Sequence, residues 1–136
     1  GTTMAVLIAG TGGGAGLRGL APEAKILPVR MQKETGEDPA KIADALKYAT
    51  AQHVKVINMS LGTAPTPELA AAVKAAQAAD IVVVAAAGNG GGKVITPAAY
   101  PGVMAVGAVL LPARSFARKR VGKAQPLAPH VKRKLP

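Results

Sequence analysis

Cysteine and tryptophan are absent from this chain of 136 residues, and only three other aromatic residues occur in it. Without cysteine the chain has no disulfide, no thiolate metal site and no thiol nucleophile. The scarcity of aromatic residues leaves alanine, valine and glycine to build the core, which favours close packing of helices on a sheet. No apolar run reaches the roughly 20 residues of a membrane-spanning helix, so we expect no membrane partner. The length suits a single domain.

Acidic residues are missing from the last part of the chain. Residues 111–136 hold eight of the 17 basic residues and none of the seven acidic ones, so residues 1–110 carry a net charge of only +2. The same segment has four prolines and no sustained hydrophobic periodicity, and such a composition buries too little apolar surface to order a chain. We therefore divide the chain into a folded part, residues 1–110, and a basic, Pro-rich tail, residues 111–136, for which we expect disorder.

Hydrophobic patterning predicts two elements in the first third of the chain. Residues 2–10 are apolar on most sides and predict a short buried helix, which a glycine-rich loop follows at residues 11–19. Residues 24–31 predict a strand, although Pro28 has no N–H group to donate to a sheet. This part of the chain should therefore contribute one helix and one strand.

Two helix starts follow, at Asp38–Pro39 and at Thr66–Pro67. Each combines a side chain that caps a helix with a proline at the first helical position, and Glu68 suits the positive end of the second helix dipole. Apolar residues then recur at helical spacing in both segments. The predicted apolar stripes are Ile42, Ala45, Leu46 and Ala49 in the first helix and Leu69, Ala72, Val73 and Ala76 in the second.

Three apolar runs, residues 54–61, 81–87 and 104–109, alternate with these helices and predict strands. The run at residues 81–87 is continuous, which is typical of a strand buried on both faces of a parallel sheet. Alternation of strands and helices produces βαβ units with right-handed crossovers. The predicted fold class is α/β, with a doubly wound, mainly parallel sheet that is flanked by helices and incomplete.

Small residues and one polar side chain stand at the end of each of two predicted strands. The run at residues 54–61 ends in Ser60 and Leu61, which Gly62 follows, and Gly88 and Asn89 follow the run at residues 81–87. Ligands of open parallel sheets bind at the carboxyl ends of the strands. Small residues there let a substrate chain lie close, and the Asn89 amide is suited to donate a hydrogen bond to a developing oxyanion.

Five sequence blocks resemble, in the same order, the motifs of the subtilisin-like serine proteases, or subtilases. The first block, G-T-T-M-A followed by V-L-I-A-G, is similar to the residues that continue the family's H-G-T-x-V/M-A motif. The others are G-L-A-P with A-K-I-L-P-V-R, then I-N-M-S-L-G, A-A-A-G-N-G and Y-P-G-V-M-A-V-G-A. Each block alone is a weak signal, but five in order are not expected by chance. The resemblance covers residues 1 to about 110.

The resemblance implies a serine endopeptidase that cleaves an extended polypeptide by acyl transfer, without a cofactor or a metal in this segment. It assigns the oxyanion donor to Asn89, the strand that pairs with substrate to Ser60, Leu61 and Gly62, and one wall of the specificity pocket to Ala85, Ala86, Ala87 and Gly88. The family's histidine would precede Gly1, and its aspartate and serine also map outside the chain. We therefore expect an inactive fragment of a secreted-type enzyme. The absence of an initiator methionine likewise favours a fragment or a processed chain.

Two functions of other classes remain as alternatives. A catalytically inactive module would still hold extended peptides by strand pairing along Ser60–Gly62. A nucleic-acid-associating protein would instead depend on the charge of the tail, but the tail lacks interleaved aromatic residues, so we do not expect this partner. Thr3 in G-T-T-M-A could also replace the serine of the family's G-T-S-M-A motif, but the blocks that follow are those that follow the histidine motif.

Three further features have simpler explanations than a functional site. The spacing G-x-G-x-x-G at residues 14–19 would bind a dinucleotide only after a strand and before a helix, and here an apolar helix precedes it. The loop at residues 11–19 has no Asn, Asp or Glu side chain to ligate calcium. His53 ends a helix just before a strand, so we expect a capping or surface role for it.

Overall fold

The structure is a computed structural model and describes residues 1–13, 16–31 and 38–108. The described elements are α1 (Thr2–Ala9), α2 (Pro39–Ala51), β1 (Val56–Met59), α3 (Pro67–Ala78), β2 (Val82–Ala86) and β3 (Met104–Val106). The tail predicted for residues 111–136 lies outside the described residues, so its disorder and the boundary at residue 110 stay predictions. In the described part, no helix is both long enough and apolar enough to cross a membrane.

Helices α2 and α3 begin at the capping residues that the sequence indicates. The Asp38 carboxylate accepts a hydrogen bond from the backbone N–H of Ala40 at 2.9 Å, and the Thr66 hydroxyl oxygen accepts one from the N–H of Leu69 at 3.2 Å. Each cap satisfies a backbone donor that the first helical turn leaves unpaired, and proline stands at the start of both helices. Both predicted starts are confirmed.

The three strands form a parallel sheet in the order β1–β2–β3. Val56 pairs with Val82 at the start of β1, and Met59 pairs with Ala85 at its end. Ala85 also pairs with Ala105 of β3. The strands lie within the predicted runs at residues 54–61, 81–87 and 104–109. The predicted α/β class, with a parallel sheet flanked by helices, is therefore confirmed.

Among the described residues, one hydrophobic core lies between helices α2 and α3 and one face of the sheet. Helix α3 packs on both α2 and β2, and all four predicted stripe residues of α3 are buried. In α2 the buried residues differ by one, because Ala43 is buried whereas Ala45 is only half-buried. The core residues from the two helices are Ile42, Ala43, Leu46, Leu69, Ala72, Val73 and Ala76, and those from the sheet and its connections are Met59, Ile81, Val83, Ala85 and Ala98.

Strand β2 is buried on one face only, so the prediction that both of its faces are buried is wrong. Val83 and Ala85 point into the core, whereas Val82 remains 48% exposed. Partners in a parallel register share a face of the sheet, and accordingly Val56 and Met104 are also exposed. The reason is that the described helices α2 and α3 pack on each other over the same face of the sheet.

Helix α1 forms as predicted, but its predicted burial is wrong. None of its residues is buried, and Val6 and Leu7 are exposed. The helix contacts the following segment through its backbone, because the N–H groups of Leu20 and Ala21 donate to carbonyl oxygens in its last turn. It lies outside the core cluster, so its apolar side chains have no described layer to pack against.

The strand predicted at residues 24–31 is absent from the structure. This segment has no regular secondary structure, and Ile26, Leu27 and Val29 are all exposed. A strand needs a neighbour for its N–H and C=O groups, and no described strand lies beside it. The sequence pattern identified a suitable segment, but pattern alone does not provide the partner.

The packing of α3 leads to a stability prediction. Leu69 is 0% exposed in the core, so Leu69→Ala should lower the free energy of unfolding by about 2–5 kcal/mol, because it removes buried methyl groups and leaves a cavity. Leu20 is 99% exposed, and the matched change Leu20→Ala should cost less than about 0.5 kcal/mol. Denaturant unfolding of both variants measures the difference. Equal losses in the two variants would contradict this core.

Candidate functional site at the carboxyl ends of the strands

The predicted site residues leave the sheet at adjacent positions. Met59, the last residue of β1, pairs with Ala85, and β2 ends one residue later at Ala86. The segments Ser60–Gly62 and Ala87–Asn89 therefore emerge side by side from neighbouring parallel strands. The structure thus brings together the two groups of residues that the resemblance assigned to substrate binding.

A connecting segment, residues 94–98, lies against both strand ends. The N–H of Ile95 donates to the Ala87 carbonyl at 3.1 Å, and the Thr96 carbonyl accepts from the N–H of Thr63 at 2.9 Å. Pro97 and Ala98, which follow, are buried. Residues 94–98 therefore form hydrogen bonds both to the end of β2 and to the segment that follows β1.

Helix α3 holds the next part of this connection in place. The Tyr100 hydroxyl lies 3.2 Å from both the backbone nitrogen and the carbonyl oxygen of Thr66, the residue that caps α3. The Gln77 side-chain amide donates to the Pro101 carbonyl at 2.9 Å. Both ends of α3 thus contact the segment between residue 98 and β3 and hold that segment in place.

The predicted wall residues differ in how accessible they are. Ala85 is only 1% exposed, and its side chain belongs to the core. Ala86, Ala87 and Gly88 are half-buried, whereas Asn89 is exposed. The sequence therefore passes from the packed interior to the surface within five residues, and the polar residue stands at the exposed end.

Asn89 has the exposure that an oxyanion donor needs. Its side chain makes no hydrogen bond to the part of the chain that the structure describes, and the glycine after it has open space around it. A preorganised amide donor acts by meeting negative charge that develops on the substrate. The surroundings of Asn89 are compatible with that role, which remains a prediction.

Ser60 and His53 lie too far apart to act as nucleophile and base. His53 precedes β1 and Ser60 follows it, so the two lie beyond opposite ends of the strand. At the rise of an extended strand, roughly 20 Å of chain separates them. The Ser60 hydroxyl instead accepts a hydrogen bond from the Asn58 amide at 3.0 Å. His53 is exposed just after α2, as predicted, and its backbone N–H donates to the Thr50 carbonyl. No other serine or histidine occurs among the described residues.

Neither a metal-ligating cluster nor the context of a dinucleotide site occurs among the described residues. No group of three or more metal-ligating side chains occurs in the parts of the chain described here. The glycine-rich loop follows α1 and leads into a bend near residue 20 rather than into a helix. A dinucleotide site needs the opposite context, a strand before the loop and a helix after it.

Sequence reasoning missed Ile95, the side chain that a Cβ added to either glycine of the site would meet first. A Cβ added to Gly62 would collide with the Ile95 Cδ1 atom, and one added to Gly88 would lie 3.2 Å from Cγ1 and Cγ2 of the same side chain. The glycines themselves were the available signal, because they indicate a close approach. Their neighbour is more than 30 positions from Gly62, so nothing local identified it.

Comparison with known proteins indicates a specific family. The sequence pattern of the Subtilase family matches residues 1–129, and the match therefore ends inside the predicted tail. A thermostable alkaline protease of Halalkalibacterium halodurans is 39% identical over 112 residues, which cover 80% of this chain and 31% of that protein. The major intracellular serine protease of Bacillus subtilis is 41% identical over 118 residues, covering 80% of this chain and 37% of that protein.

A solved structure has the same fold. The patellamide maturation protease PatA superposes with a TM-score of 0.70 at 29% identity, and the match covers 77% of this chain and 41% of that one. The chain thus spans less than half the length of each of these three proteins. One of the relatives is named an intracellular protease, so the secreted location expected from the resemblance stays a prediction.

The backbone at Gly88 leads to a second prediction. Gly88 has φ +107°, and an added Cβ would also press on Ile95, so Gly88→Ala should lower the free energy of unfolding by about 1–3 kcal/mol. Gly90 has open space around its Cα and no such backbone conformation. The matched change Gly90→Ala should shift stability by less than about 0.5 kcal/mol. Thermal unfolding of both variants measures the contrast, and a neutral Gly88→Ala would contradict the described loop.

Proposed function

Because the chain belongs to the Subtilase family, we propose that it supplies the peptide-binding strand ends and the oxyanion donor of a serine endopeptidase. The resemblance found in the sequence is thereby confirmed at the level of the family, and its relatives are named proteases. The observation that carries the proposal is the adjacency of Ser60–Gly62 and Ala87–Asn89 at the carboxyl edge of the sheet.

In this proposal the substrate is an extended polypeptide. Ser60 and Leu61 lie beyond the last residue that β1 pairs with β2, so they are placed to continue strand pairing with a peptide. Main-chain hydrogen bonds of this kind bind peptides with little dependence on sequence. Ala86 and Ala87 of the adjacent strand end, with Gly88, contribute the neighbouring wall.

The proposed chemistry is acyl transfer to a serine, with Asn89 as an oxyanion donor. As the nucleophile attacks the peptide carbonyl, the carbonyl oxygen gains negative charge, and the Asn89 amide N–H donates a hydrogen bond to it. The donor adds to the rate because this bond strengthens in the transition state. We assign no nucleophile, general base or orienting carboxylate to the described residues, since Ser60 and His53 lie at opposite ends of β1.

A catalytically inactive peptide-binding module is the second candidate, and the separation of Ser60 from His53 favours it for the chain by itself. Both candidates predict peptide binding at the same strand ends, and they differ in whether Asn89 contributes to a reaction. We do not propose nucleic acid as a partner, because its only support is the charge of residues 111–136, and charge alone attracts any polyanion.

We expect the 136-residue chain to bind extended peptides without cleaving them. In an NMR titration, an uncharged hexapeptide should shift the amide signals of Leu61 and Asn89, while those of exposed α2 residues such as Lys41 should stay unchanged. A fluorophosphonate probe should label no residue stoichiometrically, because the described structure holds no serine beside a histidine. Stoichiometric labelling would contradict this expectation, and an absence of peptide binding would contradict the proposed function.

A chimera tests the role of Asn89. Residues 1–108 of this chain would replace the matching segment of the Bacillus subtilis major intracellular serine protease, which supplies the catalytic serine. Asn89→Ala should then lower kcat about 100–1,000-fold with little change in KM, which is the magnitude known for such a donor in subtilisin, a member of this family. Asn89→Asp, which keeps the shape but removes the amide donor, should also be slow.

The control for this chimera is Gln52→Ala, which removes an exposed amide at the end of α2, far from the strand ends. It should leave kcat within about twofold, as expected for a surface change. If Asn89→Ala raised KM but left kcat unchanged, or if Gln52→Ala lowered kcat by the same factor, Asn89 would have no specific role in the reaction. The inactive-module candidate would then be preferred.

A further inference from the structure

Ile95 occupies the space between the two strand ends that the proposed function assigns to substrate. Its backbone is held on both sides, by its own N–H bond to the Ala87 carbonyl and by the bond from Thr63 to the Thr96 carbonyl. Its N–H also fixes the distance of residues 94–98 from β2. These bonds therefore hold the backbone of Ile95 beside the site.

The two glycines of the site show how closely this side chain approaches. A Cβ built on Gly62 would overlap Ile95 Cδ1, and one built on Gly88 would lie 3.2 Å from Cγ1 and Cγ2 and 3.3 Å from Cδ1. These distances are shorter than ordinary contacts between carbon atoms, which lie at about 3.5–4.0 Å. All three outer carbons of Ile95 thus lie against the Gly88 side, and the terminal one reaches the Gly62 side.

Ile95 is nevertheless not a core residue. Its exposed fraction is 40%, and it is absent from the core cluster. Its neighbour Val94 has a similar exposed fraction of 44%, but none of its atoms is among the three that a Cβ on either glycine would meet first. Ile95 is therefore an apolar side chain that both faces solvent and fills the gap between Gly62 and Gly88.

From this arrangement we infer that Ile95 limits the substrate side chain entering between Gly62 and Gly88 to glycine, alanine or another small residue. The inference rests on the proposed function and specifies its substrate class. A substrate with a small side chain leaves Ile95 where it is, whereas a leucine or phenylalanine side chain would have to displace it. The backbone cannot move aside to make room without breaking the hydrogen bonds of Ile95 and Thr96.

The test is a peptide series titrated into the full 136-residue chain. Acetylated hexapeptide amides of alanine carry one residue X, which is alanine, leucine or phenylalanine, at each of the central positions in turn. At one position, alanine should bind about tenfold or more tightly than leucine or phenylalanine, a ratio typical of an apolar pocket that discriminates by size. The amide shifts of Leu61 and Asn89 report binding at the site.

Substitutions at Ile95 should change that preference in steps. Ile95→Val removes only Cδ1, the atom nearest Gly62, and should reduce the preference partly, whereas Ile95→Ala should abolish or reverse it. Val94→Ala is the matched control and should keep the wild-type preference, because Ile95, and not Val94, supplies the side-chain atoms nearest to a Cβ on either glycine. Circular dichroism spectra that match the wild type establish that each variant is folded, and the conservative Ile95→Val change provides a readout if Ile95→Ala unfolds.

Each result decides between the inference and the function on which it rests. Peptides that shift Leu61 and Asn89 but bind equally well with alanine or phenylalanine would overturn the inference and leave the proposed function standing. A preference that Ile95→Val and Ile95→Ala leave unchanged would do the same. If no peptide shifts these signals in any variant, the proposed function itself fails. Binding of large residues gained only in the Ile95 variants supports the inference.

Discussion

The site depends on the parallel register of three short strands. Met59, Ala85 and Ala105 are paired across the sheet, and this alignment makes Ser60–Gly62 and Ala87–Asn89 leave the sheet side by side. Since side chains alternate between the faces of a strand, a slip of one residue would turn Val83 and Ala85 out of the core. Burial of one face against α3 thus fixes the register, and the register fixes the site.

The long connection between β2 and β3 is the second constraint. It is tied to the end of β2 through Ile95, to the segment after β1 through Thr96, and to α3 through Tyr100. The bonds of Thr96 and Tyr100 join parts of the chain that are more than 30 residues apart. As a result, a side chain from outside the predicted motifs determines how much room remains between the two strand ends.

Several surfaces of the described structure remain open. One face of the sheet exposes Val56, Val82 and Met104, and helix α1 buries none of its residues. The chain spans 31% and 37% of the two named relatives, and in a longer domain these are the surfaces on which further layers would pack. The apolar pattern of residues 24–31 has the same explanation, because a strand sequence forms a strand only when a neighbour accepts its hydrogen bonds.

The sequence by itself determined what depends on neighbours along the chain. Caps at Asp38 and Thr66, the apolar stripe of α3, the alternation of helices and strands from α2 onward, and the family motifs are all local signals, and the structure and the comparisons confirm them. Only the tertiary structure decided which faces are buried and which side chains meet. The exposed face of β2, the unpaired residues 24–31 and the contact of Ile95 with Gly62 and Gly88 depend on partners distant in sequence, which no local periodicity or propensity encodes.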